Sequence, residues 1–159
     1  MQARATAQQR LPDIKNTIPL QGLSVAAVQK LLEAPQYGVD PAFVAASKLL
    51  SFDSLQGYLR GFIDLVFEVD GRYYIVDYKT NRLGDRAADY GPPQLTQAVA
   101  HSHYYLQYLI YSVALHLHLQ ARLPGYAYAS HFGGVYYLFL RGMADESGDT
   151  GVFFDRPPL

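Results

Sequence analysis

The sequence predicts a single domain of the α/β (or α+β) class, in which a small sheet is flanked by helices. Half of the 159 residues are hydrophobic, which is enough for a sizeable core. An Asp-Gly pair at 70–71 separates two strand-like runs, as in a β-hairpin. A proline-free run over 94–122 repeats small and apolar residues at helical spacing.

The first part of the chain, 1–56, is expected to be partly helical. Ser24 is a suitable N-cap for a helix that Pro35 ends, and Pro41 fits the first turn of a second helix. We predict a loose arm over 1–15, a short strand over 16–20, and the two helices over 24–34 and 41–50.

The second part is expected to form the core of the domain, 57–142, followed by a polar tail, 143–159. The apolar patterns predict strands over 58–69 and 72–80, a helix over 94–122 and a buried strand over 135–140. Glycines and prolines predict a loop over 81–93. The sheet therefore contains the hairpin 58–80.

The composition excludes several classes of site. The chain has no cysteine, so disulfides, thiolate zinc sites, cysteine nucleophiles and iron–sulfur clusters are excluded. A net charge of −1 counts against a free-standing nucleic-acid binder, and a charged share of only 17% indicates a surface that faces another protein. The longest apolar stretch, 104–119, contains glutamine, serine and histidines, so we expect no membrane span and a cytoplasmic location.

The hairpin predicts a pair of neighbouring carboxylates. If Asp70 and Gly71 are the central residues of a tight turn, the register places Asp64 opposite Asp77 on one face of the sheet. Lys79 lies two residues beyond Asp77 and therefore on the same face. Two such acids repel each other unless one keeps a proton, a basic side chain intervenes or a divalent cation binds between them.

This set of side chains suits metal-assisted phosphodiester hydrolysis. Oxygen ligands without sulfur or a histidine cluster favour Mg²⁺ or Mn²⁺ over zinc. A lysine beside them could orient the attacking water or stabilise charge on the phosphate. The alternative is that Asp77 and Lys79 are solvated residues at a strand end, because an Asp-x-Lys triplet is common by chance.

Four motifs in a fixed order resemble the RecB nuclease domain, a branch of the PD-(D/E)xK superfamily. They are G-F-I-D-L, D-Y-K-x-N, L-Q-Y and H-F-G-G-V, and the dense similarity extends over 57–142. The resemblance implies a PD-(D/E)xK fold with a small central mixed sheet. It also implies a Mg²⁺-dependent deoxyribonuclease, with Mn²⁺ or Ca²⁺ as substitutes, inside the helicase–nuclease exodeoxyribonuclease V.

The resemblance also implies roles for individual residues. Asp64 and Asp77 would be metal ligands, with the backbone carbonyl of Tyr78 as a third oxygen. Lys79 would be the active-site lysine. Gln107 and Tyr111, the expected nucleic-acid-binding residues, match the family's Q-x-x-x-Y signature, in which the glutamine lies near the active site. On one helix these two would share a face with His103, although ordinary amphipathic packing would give the same stripe.

Charges after the second strand suggest a contact with the DNA backbone. Arg82, close to Lys79 and Arg86, would suit a phosphate, although solvated loop charges would look the same. The family further implies DNA, the RecC and RecD subunits and the recombinase RecA as partners.

The chain departs from the family pattern in two respects. No histidine precedes His101, so the metal ligand that the family takes from an upstream helix is missing, and Glu33 is a poor substitute. We therefore expect a truncated domain. No G-x-x-x-x-G-K-S/T phosphate loop is present, so the chain carries no helicase motor of that type.

Three other functions are considered. The chain could be a catalytically inactive fragment that docks RecA or sister subunits. It could be a Cas4-like or AddB-like nuclease, but those relatives usually hold an iron–sulfur cluster through cysteines, and this chain has none. A restriction-type endonuclease would share the Asp–Asp–Lys core, but the later motifs argue against it.

Overall fold

A computed structural model shows helices packed against a mixed four-stranded sheet, beside a separate two-stranded sheet. It describes residues 16–52, 55–143, 148 and 150–158, of which 16–23 and 55–60 are described by their backbone alone. The predicted arm, 1–15, lies outside these residues. The helices and strands in chain order are β1 Asn16–Leu23, α1 Val25–Leu32, α2 Pro41–Ser47, β2 Leu55–Gly61, β3 Leu65–Val69, β4 Arg72–Lys79, α3 Pro92–His101, α4 Tyr104–Arg122, α5 Tyr128–His131, β5 Phe132–Phe139 and β6 Val152–Asp155.

The N-terminal elements follow the capping signals. The Ser24 hydroxyl accepts a hydrogen bond from the Ala27 amide, so α1 begins where it was predicted. The Asp40 carboxylate caps α2 in the same way. This helix ends at Ser47 rather than Leu50, because the last amides bond three residues back, in the tighter geometry of a 3₁₀ turn.

The hairpin between β3 and β4 has the predicted register. Val69 pairs with Arg72, and the ladder continues to Leu65 opposite Val76. Asp70 and Gly71 both have positive φ, as a two-residue turn of type I′ requires.

The predicted strand 58–69 is wrong in its first half, because the chain leaves the sheet before Leu65. Residues 55–61 pair with β1 instead, and the β3–β4 ladder ends at Leu65. Asp64 is therefore not a cross-strand partner of Asp77, nor is Phe62 one of Lys79. At the break, Gly61 lies against the Tyr111 ring, where a Cβ atom would approach Cε1 to 2.9 Å.

The four-stranded sheet has the order β3-β4-β5-β6 and is mixed, as predicted. Strand β5 runs parallel to β4, and β6 is antiparallel to β5. The strand β6 lies in the segment that was predicted as a polar tail. Its Val-Phe-Phe run is too short to stand out in the sequence and becomes a strand only through pairing with β5.

The single helix predicted over 94–122 is two helices. The chain turns at Ser102 and His103, where His103 takes a left-handed conformation with a φ of 52°. The first helix begins at Pro92, inside the segment predicted as a loop, and a 3₁₀ turn over Ala87–Tyr90 precedes it.

Helices α3 and α4 connect β4 to β5 and cover one face of the sheet. The buried core between them includes Ile75 and Val135 from the strands and Leu95, Val99 and Leu115 from the helices. Among the described residues, no helix has the length and apolar character needed to cross a lipid bilayer.

Candidate active site

The inward face of β4 carries two charged side chains into the core. Ile75, Asp77 and Lys79 alternate along the strand and point toward the helices, since side chains on a strand alternate between faces. Asp77 is 4% exposed and Lys79 is 8% exposed. Charged groups are rarely this buried without a partner, so their surroundings define the site.

Asp77 and Lys79 form an ion pair. Lys79 Nζ lies 2.6 Å from Asp77 Oδ2. A buried pair of this kind needs further hydrogen bonds to offset the desolvation of both charges.

The ammonium of Lys79 has three further contacts. It donates to Gln107 Oε1 at 2.9 Å, and it lies 3.8 Å from the centre of the Tyr104 ring and 4.6 Å from that of Tyr137. Gln107 and Tyr104 come from α4, whereas Tyr137 comes from β5, where it pairs with Asp77. Hydrogen-bond acceptors and aromatic faces therefore surround the charge.

Gln107 connects this pair to two tyrosines. Its Oε1 atom also accepts from the Tyr137 hydroxyl at 2.7 Å, and its Nε2 atom donates to the Tyr111 hydroxyl at 3.0 Å. The pKa of Tyr111 is raised, first by burial and further by the charges of Asp77 and Asp64. Tyr111 is therefore a neutral phenol that closes the site on the side of the β2–β3 break.

Asp64 reaches the same place from the segment before β3. Its carboxylate is exposed, and its Oδ2 atom accepts from the Tyr78 amide at 3.0 Å. Burial raises the pKa of Asp77; the hydrogen bond and charge of Lys79 oppose that rise, and the charge of Asp64 adds to it. The charge of Asp64 thus acts on Asp77. Asp64 comes close because its side chain bonds to the β4 backbone, and not because the two residues face each other across paired strands.

The sequence profile of the PD-(D/E)XK nuclease superfamily matches residues 4–153. The chain belongs to the PD-(D/E)XK nuclease superfamily.

Curated relatives confirm the resemblance to RecB. The chain is 56% identical over 113 residues to the RecBCD enzyme subunit RecB of Haemophilus influenzae, an alignment that covers 71% of this chain and 9% of that protein. It is 44% identical over 169 aligned positions to the RecB subunit of Mycobacterium tuberculosis, with 94% and 15% covered. The RecB subunit of Escherichia coli is 46% identical over 108 residues, with 68% and 9% covered. The chain thus spans between about a tenth and a seventh of the length of these relatives.

The donor set fits a divalent metal ion held by few protein ligands. Among the residues that the structure describes, no three histidine, cysteine, aspartate or glutamate side chains form a metal cluster. Magnesium is nevertheless commonly held by one or two carboxylates, with water and substrate phosphate as its other ligands. Asp64 and Asp77 supply such a pair, and neighbouring negative charge is part of what raises the pKa of Asp77.

The predicted site residues fall into two groups. Asp64, Asp77, Lys79, Gln107 and Tyr111 lie together, as the distances above show. The Tyr78 backbone, whose carbonyl is the predicted ligand, adjoins Asp64 through its amide, while the Tyr78 side chain is exposed. Two other residues do not join the group: His103 contacts Tyr105 through Nδ1, and Arg82 pairs with Asp85. Glu33 caps the end of α1 and is exposed.

Sequence reasoning missed Tyr104 and Tyr137. Tyr137 is one of two adjacent tyrosines in an apolar strand, and only the register of β5 against β4 shows which one lies beside Asp77. Tyr104 lies in the first turn of α4. The prediction of one unbroken helix gave no sign that a new helix begins there.

Proposed function

We propose that this chain is the nuclease domain of a RecB-type subunit of exodeoxyribonuclease V and hydrolyses phosphodiester bonds in DNA during double-strand break repair and recombination. The observation that carries the proposal is the buried pair of Asp77 and Lys79 with Asp64 beside it. Three groups able to bind metal and phosphate meet there in a chain of this superfamily.

Asp64 and Asp77 would hold a divalent cation, Mg²⁺ by preference, with the Tyr78 carbonyl as a further oxygen ligand. The exposed carboxylate of Asp64 faces solvent and the buried one of Asp77 faces the core, so the pair spans the boundary that a substrate phosphate would reach. Such a cation, when bound, polarises the phosphate and lowers the pKa of a coordinated water.

Lys79 would act on the phosphate or on the attacking water. Its ammonium is buried among aromatic rings, where an electrostatic interaction is stronger than in water. The three donor hydrogens of a lysine suffice for Asp77, Gln107 and one phosphate or water oxygen.

Gln107, Tyr111 and Arg82 would serve binding. Gln107 and Tyr111 are joined by a hydrogen bond on α4 beside the acids, where they would contact the DNA. Arg82 is exposed just after β4 and could exchange Asp85 for a DNA phosphate.

The proposal extends to partners and location. The relatives are named as subunits of the RecBCD enzyme, so we infer RecC, RecD and DNA as partners, RecA as a further one, and a location in the cytoplasm. The net charge of −1 supports dependence on partner subunits for a basic DNA channel.

A docking function is the second candidate. The sheet face opposite α3 and α4 carries a row of rings, Phe67, Tyr74, Tyr136 and Phe154, and Phe154 is 46% exposed. A partly exposed aromatic face of this kind is typical of protein contacts. Co-purification with RecC, with and without Phe154→Ser, tests this function independently of cleavage.

The nuclease proposal is tested in the full-length protein that carries this chain. Asp77→Ala and Lys79→Ala should abolish Mg²⁺-dependent DNA cleavage and leave ATP-dependent unwinding intact. Glu33→Ala, which removes an exposed acid at the end of α1, is the control and should cut at the wild-type rate. Wild-type cleavage by either site variant would contradict the proposal.

A further inference from the structure

The two tyrosine rings around Lys79 form a defined enclosure. Tyr104 and Tyr137 meet edge to face, with ring centres 5.7 Å apart and an angle of 71° between the planes. The ammonium lies within reach of both faces. We call this pair of rings the lysine cage.

The hydroxyl of Tyr137 gives the cage a second role. It donates to Gln107 Oε1 at 2.7 Å, and the carbonyl of Tyr104 is a more distant acceptor at 3.3 Å. Tyr137 is fully buried, and burial raises the pKa of its hydroxyl, so the group remains a donor at neutral pH.

This hydroxyl fixes the orientation of the Gln107 amide. Lys79 and Tyr137 both approach the same end of that amide, and an ammonium has only donors. The reversed amide would place its NH₂ group against both donors. The oxygen must therefore face Lys79, and the nitrogen then faces Tyr111.

The cage matters because Lys79 and a bound cation would share the Asp77 carboxylate. Lys79 Nζ lies 2.6 Å from Asp77 Oδ2, so a cation that took this oxygen would compete with the ammonium for it. A lysine has a flexible four-carbon stem, so an ammonium that loses its only partner swings into solvent. The hydrogen bond to Gln107 and the contacts with the two rings do not involve Asp77.

We propose that Tyr104 and Tyr137 are positioning residues, which hold the Lys79 ammonium inside the site whether or not Asp77 is paired with it. The consequence for catalysis rests on the proposed nuclease function. The position of the ammonium does not, and it can be measured on the chain without DNA.

The position is measured by NMR on this chain labelled at its lysine side chains. The sequence has only four lysines, so Lys79→Arg identifies the signal by its loss. Protons above a ring face are shifted upfield by the ring current, and a buried ammonium exchanges slowly with water. We expect both properties for Lys79, in the free chain and after titration with Ca²⁺.

Substitutions at the half-buried Tyr104 separate the ring from its hydroxyl. Tyr104→Leu should reduce the upfield shift of the Lys79 ε-methylene protons and speed ammonium exchange, and Tyr104→Phe should restore both because cation–π attraction needs only the ring. Tyr137→Phe should retain the ring shift but speed exchange. Tyr128→Phe loses a comparable hydroxyl bond, to the Pro157 carbonyl at 2.6 Å, and should change neither property. A Lys79 signal at the position of the exposed lysines, or one unaffected by Tyr104→Leu, would overturn the proposal.

Kinetics of the full-length protein give the second measurement. Tyr104→Leu should lower kcat about three- to thirtyfold with KM unchanged, and Tyr104→Phe should restore kcat. If the wild-type protein cuts no DNA with any divalent cation, the proposed function fails, and the NMR result still decides the cage. If Tyr104→Leu cuts as fast as wild type, the catalytic part of the inference is wrong.

Discussion

Two groups of ion pairs lie within fifteen residues of each other in the sequence and differ in how far their side chains are exposed to water. In the pair of Asp77 and Lys79, the side chains are 6% and 10% exposed. Arg82 and Asp85, in the following loop, are 66% and 78% exposed. Arg86 and Asp89 pair nearby at the same sequence spacing.

The surroundings of an ion pair decide how much it contributes to the stability of the fold. The loop pairs join residues three apart in the sequence, and water screens them, so each contributes little. The buried pair is surrounded by side chains from α4 and β5 and loses its solvation. Removal of one partner should therefore cost much more stability at the buried pair than in the loop.

The largest effect is expected for Lys79→Met. This change leaves the Asp77 carboxylate buried without its cation and should lower the free energy of unfolding by about 3 kcal/mol at pH 7. Urea unfolding measures it, with Lys48→Met at the exposed end of α2 as the control. The double variant with Asp77→Asn should recover part of the loss, and a loss below about 0.5 kcal/mol in the single variant would contradict the comparison.

A smaller effect is expected for Gln107→Leu. The change removes an acceptor from Lys79 and from the Tyr137 hydroxyl, so the free energy of unfolding should fall by about 2 kcal/mol. Gln97→Leu, at an exposed position of α3, provides the matched control. Equal stabilities of the two variants would show that the buried contacts add nothing to the pair.

The ion pair between Arg86 and Asp89 should lose its contribution to stability only in acid. Hydrogen bonds from the Arg86 amide and guanidinium lower the pKa of Asp89 below its ordinary value of 3.8. A carboxyl with a depressed folded-state pKa stabilises the fold fully above 3.8 and loses that contribution as the pH falls through the folded value. Unfolding of wild type and Asp89→Asn should therefore differ by a constant amount at neutral pH and converge below 3.8; a difference that grows in acid would contradict this.

The smallest effect on stability is expected for Arg82→Ala. The free energy of unfolding should change by no more than about 0.5 kcal/mol, since both partners are solvated. If Arg82 contacts a phosphate, DNA affinity should fall, and the slope of its dependence on salt should decrease by about one unit. Salt titrations of DNA binding check this, and an unchanged slope would remove Arg82 from the interface.

Local signals account for what the sequence predicted well. The Asp70-Gly71 turn determines the β3–β4 register, and Ser24 determines the start of α1, because each depends on neighbours in the chain. Asp77 and Lys79 share a face for the same reason.

Tertiary contacts account for what the sequence missed. The strand 58–69 breaks where Gly61 meets Tyr111, a contact between segments fifty residues apart. Asp64 reaches Asp77 because its side chain accepts the Tyr78 amide, which no strand register describes. Tyr137 joins the site through the parallel pairing of β5 with β4.

The central claim is that Asp64 and Asp77 together bind a hard divalent cation. It is tested most directly by anomalous diffraction from a crystal of this chain soaked in Mn²⁺. We predict a peak between the two carboxylates, about 2.0–2.2 Å from an oxygen of each, and its loss in Asp77→Asn. Mn²⁺ bound elsewhere on the molecule, with no density between Asp64 and Asp77, would contradict the claim.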